Sequence, residues 1–366
     1  MKGKKILISV VLLGFVFSLS LSPSLALTQQ KDKGKKDEKK ETKAEERKTI
    51  PAEIQAILQQ GLASRVERQD IKGTILKHLF LPGMLGSGNV YSVFLVKMKN
   101  ADLGFMPSIV QQSEEEKKET ETQPTQLQTA LNVFLQFYVV KDKKPEKLFK
   151  EVYIPVFLQE ESSTYNSEKE ELYTINYLLP PGNYLLAMAV TSFRTQKIGT
   201  FYYEFSLPDM FAPFPELSTT PIFFAKNIEQ IPSPEMTSEV HKNFFNWSIL
   251  HIEPIVDNVI FPKDNNEIIY FISGAQVSET GRPNLTITYE VLQGGDKAII
   301  WLPLTYNAPF VEWPFQLKQT VIIKQDGKEI GKETRDLKPG QYTLSMNIKD
   351  NISGKSLLKT VDFEVR

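Results

Sequence analysis

Tryptophans, histidines and acidic clusters are the side chains of this 366-residue chain whose types could do chemistry. Trp247, Trp301 and Trp313 all fall in the second half. Flat indoles stack on sugar rings, which makes Trp301 and Trp313 candidates for a carbohydrate platform; the commoner use of an indole in a β fold is core packing with its N–H satisfied. His78, His241 and His251 show no H-x-x-x-H or H-E-x-x-H spacing, so a zinc centre is not expected. The chain has no cysteine, which excludes thiol catalysis, thiolate metal sites and lipid on an N-terminal cysteine. The acidic groups at Glu114–Glu116, Glu160–Glu161 and Glu168–Glu171 lack the D-x-[DN]-x-[DN]-G order of a calcium loop. No G-x-S-x-G elbow or G-x-x-x-x-G-K-[ST] loop occurs, and the glycine-rich Gly83–Gly88 precedes a strand rather than the helix a phosphate cradle needs. A glycosidase would need two apposed carboxylates in a cleft, a pair the sequence does not locate. The chain therefore reads as non-enzymatic, with no catalytic set, cofactor or metal ligands expected.

The organisation that would position any site is more legible. Leu179-Pro180-Pro181-Gly182-Asn183-Tyr184 is echoed by Leu337-Lys338-Pro339-Gly340-Gln341-Tyr342, and Met188 with Met346 and Phe205 with Phe363 keep the same offset of 158. A period this long means two copies of a whole domain, since solenoid repeats run at roughly 20–50 residues. In each copy Pro-Gly turns the chain sharply into a strand. Tyr342, Leu344, Met346 and Ile348 then share one face while Thr343, Ser345 and Asn347 share the other, the period-two pattern of a half-buried strand. The first copy departs from this: Leu185, Ala187 and Ala189 make its outer face apolar. That face must be covered, either from within, by a helix over 51–65 or by the linker, or by a partner. Leu185, Ala187 and Ala189 are accordingly the candidate interaction face. Phe211, Phe214, Phe223 and Phe224 are candidates for part of the same cover.

Ile54, Ile57, Leu58 and Leu62 recur at helical spacing after Pro51, which predicts one short helix within 49–70. The rest reads as short strands rich in β-branched and aromatic residues, among them Val90–Met98, Ala130–Val140, Val152–Leu158, Leu172–Leu178, Tyr184–Val190 and Thr200–Leu207. Glu267–Ile272, Leu285–Leu292, Tyr342–Ile348 and Ser356–Val365 continue the theme. The expectation is an all-β chain of two tandem antiparallel β-sandwiches, 71–209 and 241–366. Proline-rich residues 210–240 would be a semi-rigid linker between them, although Ile222–Lys226 is apolar enough to pair with a neighbour. Gln111–Gln126 reads as a charged excursion.

At the N-terminus, Lys2, Lys4 and Lys5 precede an apolar run, and Ser24-Leu25-Ala26 offers the small residues of a cleavage site, so 1–26 reads as a signal peptide. Residues 27–48 read as a charged, solvated tether. Beyond them, 49–366 carries 31 basic and 38 acidic side chains, a net charge of −7 that argues against nucleic acid as a partner. Membrane contact is expected only through an uncleaved signal or the basic tether.

The L-x-P-G-x-Y-x-L hairpin resembles the terminal hairpin of bacterial immunoglobulin-like and transthyretin-like sandwich modules. From about Asn265 onward, Glu267–Ile272, Pro283–Tyr289 and Leu337–Tyr342 are similar to the sandwich that accompanies the Gly-Trp-x-Thr-Asp domain in some secreted bacterial proteins, without the Gly-Trp-x-Thr-Asp signature itself. The resemblance implies a scaffold and a compartment rather than a reaction. Together these features predict an exported protein that acts as a structural or protein-binding module at the cell envelope, its partner another envelope or secreted protein.

Overall fold

A computed structural model describes residues 49–83, 87–107, 126–212, 216–235, 237–325 and 328–366, with backbone alone over 322–330. The expected signal segment 1–26, the tether 27–48, residues 84–86 of the glycine-rich turn, Phe214 and nearly all of the charged excursion lie outside the described residues.

The first part of the chain forms α1 (Ala52–Ser64), β1 (Gly73–Pro82), β2 (Val90–Lys99), α2 (Asn100–Leu103), β3 (Met106–Pro107), β4 (Gln126–Lys141), β5 (Lys144–Glu161), β6 (Glu170–Leu179), β7 (Gly182–Ser192) and β8 (Ile198–Leu207). Next come β9 (Ser218–Thr219), β10 (Phe223–Gln230), β11 (Val240–Lys242) and β12 (Phe245–Trp247). The remainder forms β13 (Leu250–Ile255), β14 (Val259–Ile260), β15 (Glu267–Ser273), β16 (Leu285–Gln293), β17 (Asp296–Ile300), β18 (Leu304–Tyr306), β19 (Phe310–Pro314), β20 (Lys318–Gln325), β21 (Lys328–Asp336), β22 (Gly340–Asp350) and β23 (Ser356–Val365). The chain is all-β.

Four of its sheets stack in layers, because several strands carry apolar residues on both faces. The first sheet has β4 between β5 and β7, with β3 also on β4 and β8 beyond β7. The second runs β1-β2-β6-β11, the third β12-β13-β10-β15-β19, and the fourth β14-β23-β22-β16-β17. Phe94, Val96 and Met98 of β2 pack with Leu135, Phe137, Leu186 and Met188 between the first and second sheets. Val93 and Leu95, on the other face of β2, pack with Phe223, Ala225, Phe245 and Ile269 between the second and third. Phe224, Ile268 and Tyr270 then meet Ile287, Tyr289, Leu344 and Met346 between the third and fourth. Strands buried on both faces read as continuous apolar runs, whereas β22, in an outermost sheet, alternates.

The repeat is reproduced atom for atom at its hairpins. The Tyr184 hydroxyl donates to the Pro180 carbonyl at 3.0 Å and that of Tyr342 to Lys338 at 2.9 Å. Tyr184 stacks on Phe205 at 5.6 Å and Tyr342 on Phe363 at 5.8 Å. Each phenol thus ties its strand back to the Pro-Gly turn that started it. Removing either hydroxyl leaves a carbonyl without its donor, so Tyr184→Phe and Tyr342→Phe should each lower stability by about 1 kcal/mol in urea titrations.

The proline-rich stretch departs from expectation. Residues 210–240 are not a spacer, since β10 is the central strand of the third sheet, between β13 and β15. Its prolines fall outside the ladder, at Pro221 before it and Pro232 and Pro234 after it, while Phe223, Phe224 and Ala225 feed two cores. β11, placed by sequence at the linker's end, pairs with β6 of the second sheet. The two halves therefore share a core instead of standing apart on a tether.

Candidate functional site

The outer face of the first sheet is where the sequence places an interaction surface. Leu185, Ala187 and Ala189 project there from β7, and all three are fully buried. Ile54 and Leu58 of α1, with Ile50, Phe134 and Tyr138, close over them. The Tyr202 hydroxyl donates to the Leu58 carbonyl at 3.0 Å, fixing the helix to β8. Gly61 permits that approach, because a Cβ there would stand 2.1 Å from the Tyr202 oxygen. Of the covers open to this face, the helix is the one present: α1 fills it from within the chain, which corrects Leu185, Ala187 and Ala189 as a candidate interaction face.

The same face continues past the end of the helix, and there it is uncovered among the described residues. Ala130 of β4 is registered against Phe157 of β5, and the Phe193 N–H donates to the Ala130 carbonyl at 3.2 Å. Ile154, Val156 and Leu158 point into the core, so by strand alternation Phe157 points out. Phe157 is 61% exposed and Phe193 71%. Two phenylalanines, from β5 and from the turn after β7, flank an alanine of β4 and make an apolar row that water wets at a cost, the kind of patch that marks an interaction site.

β5 borders this row and is also an edge. Along its eighteen residues it pairs with β4 and with no other strand among the described residues. Lys144, Lys147 and Lys150 line its first half and Pro155 interrupts its second, devices that blunt an edge against indiscriminate pairing. The proline-free stretch 146–154 keeps outward N–H and C=O groups beside the half-exposed Phe149.

The candidate sugar platform is differently placed. Trp313 stacks on Tyr289 at 4.0 Å and 15°, and Trp301 meets Trp313 at 4.9 Å and 86°. Both indoles pack, partly buried, against the core between the third and fourth sheets. One face of Trp313 is taken by Tyr289, and Trp301 is tilted against Phe315.

A carboxyl pair lies on the third sheet. Burial first, then the charge of Glu312 and a hydrogen bond shared with it, push the Glu267 carboxyl up to about 7. Folding therefore favours its protonated form. The stabilising effect is complete below the ordinary carboxyl value of about 4.3 and is lost as pH rises through the folded value. Glu267→Gln mimics the protonated state and should flatten the fall in thermal midpoint between about pH 4 and pH 8, by about 1 kcal/mol after solvent screening.

An open cleft of about 730 Å³ between the second and third sheets is lined by Lys97, Lys226 and Arg366 but also by Glu253, Asp257 and Asp264. Its balanced charges select no ligand class. In comparisons with known proteins, the chain matches no family model and no curated protein.

Proposed function

We propose that this chain is an exported, non-enzymatic protein-binding module of the bacterial cell envelope, the first and second sheets making one immunoglobulin-like or transthyretin-like sandwich and the third and fourth the other. The observation that carries the binding role is the exposed row Phe157–Ala130–Phe193 beside the edge of β5. A partner segment in extended form adds to β5 over 146–154 through main-chain hydrogen bonds and sets an apolar side chain against Phe157. The basic signal-like start supports export, and the Pro-Gly-x-Tyr hairpins support the module type.

A photo-crosslinking residue placed at Phe157 in growing cells tests this, with the same probe at Leu302, which is 84% exposed on another part of the molecule. The expected result is a discrete adduct from position 157 that disappears when Phe193 is also changed to serine. Because both side chains lie on the surface, Phe157→Ser and Phe193→Ser should change stability by no more than about 0.5 kcal/mol. Equal adduct patterns from positions 157 and 302 would remove the proposal.

A further inference from the structure

Three metal-ligating side chains converge where the chain passes from the third sheet to the second. Glu235 and Glu239 lie in the connection from β10 to β11, and His241 lies on β11. One ligand atom from each falls within 4.8 Å of the other two. His241 Nε2 stands 2.9 Å from Glu235 Oε1 and 3.1 Å from its Oε2. Neighbouring ligands around a first-row divalent ion with bonds of about 2.0–2.2 Å are separated by about 3.0–3.5 Å, so Glu235 and His241 already have the spacing of adjacent ligands. Glu239 is exposed, and its carboxylate accepts from the Thr237 hydroxyl at 3.2 Å.

The surroundings are built rather than incidental. The His241 ring is stacked on Phe244 at 4.5 Å, and Phe244 is itself packed against His251 at 4.1 Å. The Phe244 carbonyl accepts from the Thr174 hydroxyl of β6, so the ring stack is anchored to the second sheet. Asn246 of β12 reaches Glu235 Oε1 through its amide nitrogen at 3.4 Å. The oxygen of that same amide is enclosed and has no donor among the described residues. Tyr91 of β2 donates to the Asn246 carbonyl, which ties β12 to the second sheet beside the cluster.

We infer that Glu235, Glu239 and His241 form a binding site for a divalent first-row transition ion, zinc by its donor set. An imidazole with two carboxylates suits zinc and its neighbours, whereas calcium and magnesium take oxygen ligands alone. Two carboxylates facing one imidazole also leave negative charge that a dication neutralises. The ion would brace the β10–β11 connection against β11 of the second sheet, at the point where the halves join. This site stands independently of the Phe157 surface.

Equilibrium dialysis of the full-length chain, stripped with chelator and carrying no histidine tag, against zinc tests it, with calcium as the comparison ion. The expected result is one zinc per chain, no displacement by calcium, a higher thermal midpoint with zinc, and a visible ligand-field spectrum when cobalt(II) replaces it. Glu239→Gln, at an exposed position, should keep the metal-free midpoint and weaken zinc by about tenfold or more. His241→Gln should abolish the cobalt spectrum, while His251→Gln keeps it. Zinc that binds no better to the parent than to Glu239→Gln and His241→Gln, or none bound at all, overturns the site.

Discussion

Replacing Phe245 with alanine should cost about 3–5 kcal/mol and lower the melting of both halves together. Phe245 is fully buried, 6.0 Å from Phe223, in the core shared by the second and third sheets. Leu79, Leu81, Val93 and Leu95 of the first half pack in that core with Ile252 and Ile269 of the second. A cavity here removes contacts from both sides, and β11 pairs with β6 of the first half, so neither half can keep its own stability. Calorimetry should show one transition shifted downward. Two transitions with only one of them moved would mean that the shared core couples the halves weakly.

Leu58→Asp should have the other large effect, and a local one. Leu58 is fully buried over Leu185, Ala187 and Ala189. Losing its apolar contacts costs about 2–5 kcal/mol, and a carboxylate in their place has no partner. A thirteen-residue helix is marginal by itself, so docking is what maintains α1. The first sheet keeps its inner core through Leu186, Met188 and Val190. The expected outcome is therefore an undocked helix on an otherwise folded body, seen as proteolysis within 49–70 and dye binding to the uncovered face, with the main transition retained. Unchanged proteolysis would show that α1 is held by other contacts.

The legible parts of the fold were those written in local periodicity. Ile54, Ile57, Leu58 and Leu62 mark α1, and the doubly apolar run Leu185–Val190 announces a strand covered on both faces. What covers it is a long-range fact that no local pattern states. The apolar pattern marks a strand only from Val152, yet β5 begins at Lys144, because an edge strand with a solvent face tolerates lysine. The Pro-rich composition of 210–240 concealed β10, whose apolar triplet was the better signal. Along the candidate surface, the alternation of Val152, Ile154, Val156 and Leu158 already set Phe157 on the opposite face. Only the register of β4 with β5, and the β7 end beside it, brought Phe193 near. Residue type alone suggests the indoles as a platform, whereas their packing against Tyr289 and each other joins residues far apart in sequence. Glu235-x-x-x-Glu239-x-His241 fits no standard metal template, and its convergence depends on the turn that leads into β11.

Binding through the first sheet and its β5 edge is tested most directly by hydrogen–deuterium exchange of the chain with and without the protein captured through position 157. Strand addition ties up the outward amides of β5, so protection should rise over 146–154 and around Phe157 and Phe193, with little change in the fourth sheet. Protection confined to other parts of the molecule, with β5 exchanging as in the free chain, would contradict it.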